Sequence, residues 1–293
     1  MADVYTATTS PGKIVLDLEI PIRIGAFAGV LGVMALWEIA APRRTAVVPK
    51  SLRWTNNLAI VVLNSILLRL LFPTAAAGAA VFATENLWGL FNYLDLQRGY
   101  KIVLCVILLD LAIYLQHVMF HALPVLWRVH RVHHTDLDFD VTTGVRFHPI
   151  EIIVSMLIKI TIIAALGPPV AAVVIFEILL NASSMFNHGN VRIPRPLDRL
   201  LRLIVVTPDM HRVHHSAEEI ETNSNFGFNL SIWDRLFGTY RKEPALGHET
   251  MIIGLETPRE VARCNTLTAM LAMPFTGMVT SYAINQRRRN KES

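Results

Sequence analysis

Residues 102–134 read IVLCVILLDLAIYLQHVMFHALPVLWRVHRVHH, and this stretch decides the fold. It begins with about twenty mostly apolar residues, the length that a helix needs to cross the hydrocarbon core of a bilayer. It ends in a dense group of histidines, the last of which is His134. Neutral imidazole is a good ligand for iron, zinc and copper. The stretch therefore predicts a membrane-spanning helix that ends at a metal site near the membrane surface.

The composition of the whole chain agrees with a membrane protein. Of its 293 residues, 53% are hydrophobic and only 17% are charged, against about 25% charged in an ordinary soluble chain. These values, with a net charge of only +4, exclude a disordered chain, a disulfide scaffold and a protein that binds nucleic acid through charge density. Cys105 and Cys264 form no CxxC motif, which indicates a reducing compartment and no metal-thiolate site.

Five apolar runs have spanning or nearly spanning length. They cover residues 22–41, 58–72, 102–121, 150–166 and 170–186. Gly167-Pro168-Pro169 cannot continue a helix, so the last two runs are expected to form a helical hairpin. The predicted fold is an all-α integral membrane protein, with about four to five transmembrane helices and a histidine-rich helical cap. Two more apolar stretches, 75–91 and 267–284, are expected to lie in the membrane interface or to re-enter the bilayer.

Basic residues in the short loops predict the orientation. Lys and Arg concentrate on the cytoplasmic side of membrane proteins, and the loop after the first run carries Arg43, Arg44, Lys50 and Arg53. Counting helices from that loop places the histidine-rich segments on the same side. We therefore expect a cytoplasmic active site in the inner or cytoplasmic membrane, or in the endoplasmic reticulum of a eukaryote.

The histidines follow helical spacing. Residues three and four apart share one face of a helix, and the chain contains one HxxxH and two identical HRVHH motifs. So many converging imidazoles exceed the ligand number of one ion, which predicts two metals. His148 and His188 lie at the start of the fourth run and the end of the fifth, while His248 stands apart and is expected at the surface. The candidate ligands are His117, His121, His130, His133, His134, His148, His188, His211, His214 and His215.

The motifs around these histidines resemble a known family. The chain is similar, over about residues 54–240, to the fatty acid hydroxylase and sterol desaturase superfamily of integral-membrane di-metal oxygenases. The resemblance is carried by LWRVHRVHH (126–134), RFHP (146–149), TPDMHRVHH (207–215), ETNSNFG (221–227) and WDRLFGTY (233–240). It departs at residues 183–188, where some members have two histidines a turn apart and this chain keeps only His188. Two roles are open for His148: it fills that vacancy as a ligand, or it supports a ligand beside Glu151.

The resemblance implies a function, a cofactor and partners. It implies an oxidoreductase with two iron ions that uses O2 to hydroxylate or desaturate a lipid, such as a sterol or a fatty acyl lipid, at the cytoplasmic face. The sequence shows no flavin or haem-attachment motif, so the electron donor is expected to be a separate ferredoxin, cytochrome or reductase. The predicted regions are 1–100 with N-terminal membrane helices, 101–245 with the catalytic part, and 246–293 as a tail.

Polar residues at helical spacing descend from the histidines into the membrane. They are Asp110 and Tyr114 on the third run, Glu151 and Lys159 on the fourth, and Glu177 and Asn181 on the fifth. Ionisable groups roughly 10–16 Å below the histidines must face the interior and find partners. We expect Lys159 to pair with Asp110, Glu177 or both, and Asp110 to support the first motif through Tyr114.

Further polar residues flank the histidine motifs. Those expected to support the ligands, to line a pocket or to form a turn are Asn187, Glu221, Asn223 and Asn225. One of Asp136, Asp138 and Asp140 is expected to accept a hydrogen bond from a ligand imidazole, and the other two to be solvated.

Other classes of protein fit the sequence less well. A zinc-dependent membrane hydrolase would use fewer histidines and a general-base carboxylate, as in HExxH, which the sequence lacks. A haem-binding electron carrier would place paired histidines deep in the bilayer, and a transporter would show repeats or broken helices. A non-catalytic metal-binding membrane protein stays open as an alternative. The sequence does not distinguish hydroxylation from desaturation.

Overall fold

The computed structural model describes residues 11–277 and 282–284, and the regular elements in that part of the chain are helices. They are α1 (Pro11–Ala40), α2 (Lys50–Leu71), α3 (Ala75–Glu85), α4 (Leu90–Tyr93), α5 (Arg98–Ala122), α6 (Pro124–His134), α7 (Pro149–Leu166), α8 (Val170–Asn187), α9 (Arg195–Leu201), α10 (Pro208–His214), α11 (Glu219–Thr222), α12 (Ile232–Leu236), α13 (Gly247–Thr250), α14 (Val261–Cys264) and α15 (Leu267–Ala272). Short 3-10 turns occupy Thr143–Val145 and Met273–Phe275.

Within the described residues, five segments are long and apolar enough to cross a bilayer. They are Leu18–Ala40, Lys50–Tyr93, Arg98–Ala122, Pro149–Leu166 and Val170–Asn187. Many of their large apolar side chains are exposed on the outside of the bundle, where a lipid chain can cover them. The predicted all-α membrane fold is confirmed.

The turn between α7 and α8 is the predicted hairpin. Gly167 ends α7 in the left-handed region, with a φ of 60°. A Cβ atom at this position would also overlap the carbonyl oxygen of Trp88. Only glycine satisfies both conditions, because it adopts this backbone conformation without a side chain to clash. The two helices that carry Glu151 and His188 are therefore joined by a sharply defined reversal.

Helices α1 and α2 pack against different helices. Helix α1 packs mainly on α8, while α2 packs on α7, and α5 packs on both α8 and α6. The alanine-rich stretch after Pro73 forms α3, which packs on α7 and α8 and has four buried alanines, Ala76, Ala77, Ala80 and Ala83. Small side chains allow helices in a membrane to approach closely.

The cap covers the ends of α5, α7 and α8 at which the histidines lie. Helix α6 continues from α5 after a break at Pro124, and α10 packs on α8. The apolar stretch that begins at Leu267 forms the short α15 and a 3-10 turn against α2 and α6. Arg131 fixes it by donating hydrogen bonds to the carbonyl oxygens of Met273 and Thr276. Residues 278–281 of that predicted interfacial stretch lie outside the described residues.

A buried ionic network joins α2 to the loop after α6. Arg53 is only 1% exposed, and its Nε and Nη2 atoms each donate to a different oxygen of Asp136 over 2.8 Å. Its Nη1 donates to Asp140 over 2.5 Å. Burial alone would raise the pKa of Asp136, but the Arg53 guanidinium outweighs it and holds that pKa below its usual range. The expected solvated acidic loop is therefore wrong, because these carboxylates are buried.

The third aspartate of that loop also differs from expectation. Asp138 is buried and accepts hydrogen bonds from the backbone N–H groups of Val47 and Val48, with the shorter contact at 2.8 Å. These three aspartates thus hold the loop between α1 and α2 against the cap. The hydrogen bonds described for them go to Arg53, to polar side chains and to backbone N–H groups rather than to an imidazole.

Candidate metal centre

Nine of the ten candidate histidines converge into two adjacent groups. Site A comprises His117, His121, His130, His134 and His214. Site B comprises His133, His188, His211 and His215. Within each group, one nitrogen from every imidazole lies within 4.8 Å of all the others. All nine side chains are buried.

The same ring nitrogen, Nε2, faces inward in both groups. In site A, the Nε2 atom of His117 lies 3.1 Å from that of His130 and 3.0 Å from that of His214. In site B, the Nε2 atom of His188 lies 3.1 Å from the Nε2 atoms of both His133 and His211. Unprotonated nitrogens this close repel one another unless a cation lies between them, so the arrangement suits a bound metal.

Each HRVHH motif supplies ligands to both groups. On α6, His130 and His134 belong to site A and His133 belongs to site B. At α10 the division is reversed, since His214 belongs to site A while His211 and His215 belong to site B. Histidines four residues apart share one helix face, and the third histidine turns to the neighbouring face. The two sites are in direct contact, with the rings of His134 and His215 stacked at 4.5 Å.

Hydrogen bonds to the outer ring nitrogens fix the imidazoles. The Nδ1 atom of His117 lies 2.8 Å from the Phe226 carbonyl oxygen, and that of His188 lies 2.7 Å from the Ser184 carbonyl oxygen. A carbonyl oxygen only accepts, so the ring proton sits on Nδ1 and the Nε2 lone pair is free for a metal.

Side chains hold two further site A histidines in the same way. The Nδ1 of His130 donates to Glu151 Oε1 over 2.7 Å, and the Nδ1 of His121 donates to Asn223 Oδ1 over 3.2 Å. Glu151 is one of the supporting residues predicted from the sequence. Asn223, in the sequence ETNSNFG, is another of the residues that were expected to support the ligands or to form a turn after the last HRVHH motif.

Burial keeps the cap histidines in the form that binds metal. It lowers the pKa of His188 to about 3. Burial, reinforced by the neighbouring imidazoles, also lowers the pKa of His133, His134, His211 and His215 well below the ordinary value. These rings are neutral at physiological pH, as metal coordination requires.

His148 is the one candidate ligand that the structure places outside both groups. It is the N-cap of α7, where its Nδ1 accepts a hydrogen bond from the backbone N–H of Ile150 over 3.2 Å. Its Nε2 donates to the Leu271 carbonyl oxygen over 3.3 Å. We therefore remove His148 from the proposed ligand set. His248, expected at the surface, is buried, with its Nε2 2.8 Å from Glu243.

Asp110 and Tyr114 bind the segment that follows the last histidine motif. Asp110 accepts hydrogen bonds from the Trp233 indole over 2.8 Å and from the backbone N–H of Leu230 over 3.1 Å. The Tyr114 hydroxyl lies 2.9 Å from Thr239 Oγ1. Both residues thus attach the cap to α5, and their described contacts are with the cap rather than with each other.

The remaining predicted flanking residues also contact backbone groups. Asn225 donates to the carbonyl oxygens of Met210 and Arg241, both over 2.8 Å, and so braces α10 from behind. Asn187 donates to the Phe228 carbonyl oxygen, and Glu221 accepts from the backbone N–H of Ala245. These three residues position the cap and do not contact a site A or site B imidazole through the hydrogen bonds described.

A cavity of about 250 Å³ runs from site A into the membrane-spanning bundle. His117, His130 and Glu151 line it at the metal centre, and Lys159 and Glu177 line its other end. The two ends are separated by apolar side chains, which include those of Ile113, Phe120, Met156 and Phe228. The cavity gives an apolar chain a path to site A.

An ion cluster lies at the inner end of this cavity. Lys159 donates to Glu177 Oε1 over 2.7 Å, so the predicted pairing with Glu177 is present. Asp110, the other predicted partner, instead accepts hydrogen bonds from Trp233 and from the backbone N–H of Leu230. Arg23 lies 3.1 Å from the other oxygen of Glu177 and pairs with Glu19 over 2.5 Å. Asn181, also predicted, lines the cavity and bonds the Glu177 carbonyl oxygen. Arg23 was missed, because it stands on α1, far away in sequence.

Fold and site together define an all-helical membrane protein with a double histidine cluster that could hold metal. Residues 102–239 match the model of the fatty acid hydroxylase family. The resemblance inferred from the motifs is thereby confirmed, although the match begins after the first two spans rather than near residue 54.

Curated proteins are similar to about half of this chain. The ornithine lipid hydroxylase OlsE of Rhizobium tropici is 32% identical over 147 residues, which are 50% of this chain and 43% of that protein. The alkylglycerol monooxygenase of Homo sapiens is 29% identical over 154 residues, which are 51% of this chain and 32% of that enzyme. The alkylglycerol monooxygenase of Danio rerio is 30% identical over 174 residues, which are 59% of this chain and 37% of that enzyme. The matches thus span less than half of each relative, and no solved structure matches the chain.

Proposed function

We propose that this protein is a membrane oxidoreductase that uses two irons, O2 and an external electron donor to hydroxylate or desaturate a lipid. The convergence of nine inward-facing Nε2 atoms at the end of a membrane cavity carries this proposal. The similarity to a lipid hydroxylase and to alkylglycerol monooxygenases supports a lipid substrate.

The number of histidines fits a di-iron site better than a structural zinc site. Five imidazoles in site A exceed the four ligands of a structural zinc site. A zinc hydrolase is therefore disfavoured.

The bound irons would supply the oxidising power that amino-acid side chains lack, which is needed to remove hydrogen from an unactivated C–H bond. The chain's own residues do the rest. The oxygen partners of Nδ1 described above hold four of the imidazoles in one tautomer and orientation. The apolar walls of the cavity exclude water and direct a lipid chain towards His117 and His130. Glu151 orients His130 and lines the cavity beside it.

Basic residues around the cap support a cytoplasmic centre and a docking protein. Arg43 and Arg44 lie on the loop between α1 and α2, on the same side of the bundle as the histidines. Arg195 and Arg199 are exposed on α9. We propose that this side faces the cytoplasm of an inner membrane or endoplasmic reticulum, and that an electron-transfer protein docks there. The predicted regions 1–100, 101–245 and 246–293 stay part of this proposal.

Metal analysis combined with lipid analysis tests the function. The chain is produced in iron-replete cells, purified in detergent and analysed for metals, and the cellular lipids are compared with those of cells that produce a His188→Asn variant. We expect about two irons per chain, and a lipid that gains oxygen or loses two hydrogens only with the unsubstituted protein. One zinc without iron, and no binding of added ferrous iron, would contradict the proposal.

A further inference from the structure

We propose that the ion cluster at the inner end of the cavity binds the polar end of the substrate and selects lipids whose polar end carries no net charge. The cluster consists of Arg23, Lys159, Glu177 and Glu19, and it is called the floor cluster below. This inference rests on the proposed lipid oxidation, because it concerns the substrate of that reaction.

The floor cluster keeps hydrogen-bonding capacity towards the cavity. A lysine ammonium has three N–H donors, and the contacts described for Lys159 use one of them, with Glu177. The Lys159 side chain is 11% exposed, whereas that of Glu177 is 1% exposed. Lys159 therefore offers unused donors to an oxygen atom of a molecule in the cavity, which the 32% exposed side chain of Arg23 also lines.

The charges of the floor cluster cancel. Arg23 and Lys159 are cations, and Glu19 and Glu177 are carboxylates, so the sum over these described residues is zero. A fatty acid carboxylate would add an uncompensated negative charge among apolar walls, which is energetically costly. A hydroxyl or ester carbonyl oxygen accepts from Lys159 without changing the balance. The cluster therefore favours a neutral polar end.

The position of Lys159 sets the distance to the reacting carbon. Glu151 contacts His130 of site A, and Lys159 follows it by eight residues on α7. Eight residues of helix correspond to about 12 Å. The walls between the two positions are mostly apolar, and the polar side chains of Gln116 and Ser155 there hydrogen-bond each other. The segment between the polar end and the oxidised carbon is therefore expected to be a hydrocarbon chain that spans this distance.

The helix packing provides access from the bilayer. The cavity is lined by Phe27 of α1 and by Ser65 and Leu68 of α2, two helices that pack mainly on α8 and α7 respectively. Ser65 is exposed to the outside of the bundle. A lipid can therefore enter sideways between α1 and α2 and reach the floor cluster from within the membrane.

Binding of matched probes tests the selection. Tritiated 1-dodecanol, dodecanoate and dodecane are titrated onto the full-length protein in detergent, with metal content and circular dichroism recorded for every variant. The unsubstituted protein should bind dodecanol about tenfold more tightly than dodecane, the factor expected from one hydrogen bond to a charged group. It should also prefer dodecanol to dodecanoate, whose negative charge has no counter-charge in the neutral floor cluster. Glu177→Gln should reverse this preference, because it gives the floor cluster a net positive charge.

A second variant removes the Lys159 donors and keeps the charge balance. Lys159→Met/Glu177→Gln should lose most of the preference for dodecanol over dodecane. Asp110→Asn, which neutralises a buried acid away from the cavity, should bind all three probes like the unsubstituted protein.

Two outcomes would overturn the inference. One is an unchanged ratio of dodecanol to dodecanoate binding in Glu177→Gln. The expected change is a gain in dodecanoate binding, which misfolding could not mimic. The other is a protein that contains two irons and oxidises a lipid but binds the three probes equally, in which case the proposed function stands and the floor cluster has no role in selection. If the protein discriminates among the probes but contains no iron and forms no oxidised product, the proposed function is refuted, whereas selection by the floor cluster stands.

Discussion

Substitution of Arg53 by methionine is expected to be among the most damaging single changes outside the two metal sites. Arg53 makes two hydrogen bonds to Asp136, one to Asp140 and one to Thr143 Oγ1, and its side chain is 1% exposed. Methionine fills a similar volume but leaves both carboxylates buried without their main cation. Removing one partner of a buried ion pair costs about 3–5 kcal/mol.

A graded series of variants gives this expectation its test. Arg53→Lys keeps the charge but loses the planar fork that bonds Asp136 twice, so it should cost roughly 1–3 kcal/mol. Arg53→Met combined with Asp136→Asn should cost less than the sum of the two single changes, since the double variant removes one orphaned charge. Arg199→Met, on an exposed arginine, should stay within about 0.5 kcal/mol.

The free energy of unfolding is measured in mixed micelles with increasing SDS, followed by circular dichroism. A loss for Arg53→Met below about 1 kcal/mol, or equal to that of Arg199→Met, would show that water or another group replaces the cation. The argument from a buried network would then be refuted. Additive losses in the double variant would refute the coupling to Asp136.

Three further predictions concern metal content. His188→Asn should reduce the iron content from about two to about one per chain, whereas His148→Ser, which keeps an N-cap oxygen, should retain both. Glu151→Ala should weaken metal affinity about 10–100-fold, and Glu151→Gln should recover part of the loss. Gly144→Ala should destabilise the protein and reduce its metal content, because a Cβ there overlaps the α8 backbone beside His188. Gly99→Ala, in open space, should change neither.

These predictions have simple contrary results. Loss of iron from His148→Ser equal to that from His188→Asn would restore His148 as a candidate ligand. An unchanged metal affinity of Glu151→Ala, measured against a competing chelator, would show that the carboxylate does not orient His130. Full metal content in Gly144→Ala would mean that α8 moves without disturbing the centre.

The parts of the site that follow helical periodicity could be predicted from the sequence. HxxxH and HRVHH place their imidazoles together because residues four apart share a helix face. The same periodicity indicated that Lys159 and Glu177 descend to a similar depth, and the structure brings them to 2.7 Å. The division of each HRVHH motif between two sites could not be predicted, because it depends on how α6 and α10 face each other.

Contacts between distant segments account for the errors. Arg23 and Arg53 stand on α1 and α2, and nothing in their local sequence indicates a partner in α8 or in the loop after α6. The aspartates of that loop look solvated in a sequence of alternating polar residues, yet the cap closes over them. His148 precedes Pro149, and this position gives it the geometry of a helix cap rather than of a ligand.

The same helical turns supply ligands to both sites, and this has a consequence for metal binding. His133 and His134 are neighbours on one turn of α6, and His214 and His215 are neighbours at the end of α10. A metal bound at one site orders the same turns that present nitrogens to the other site. Binding of the first ion therefore accounts for much of the loss of conformational entropy, and the second ion binds at a lower cost. We therefore expect the two irons to bind cooperatively, and a chain with a single iron to be a scarce species during titration.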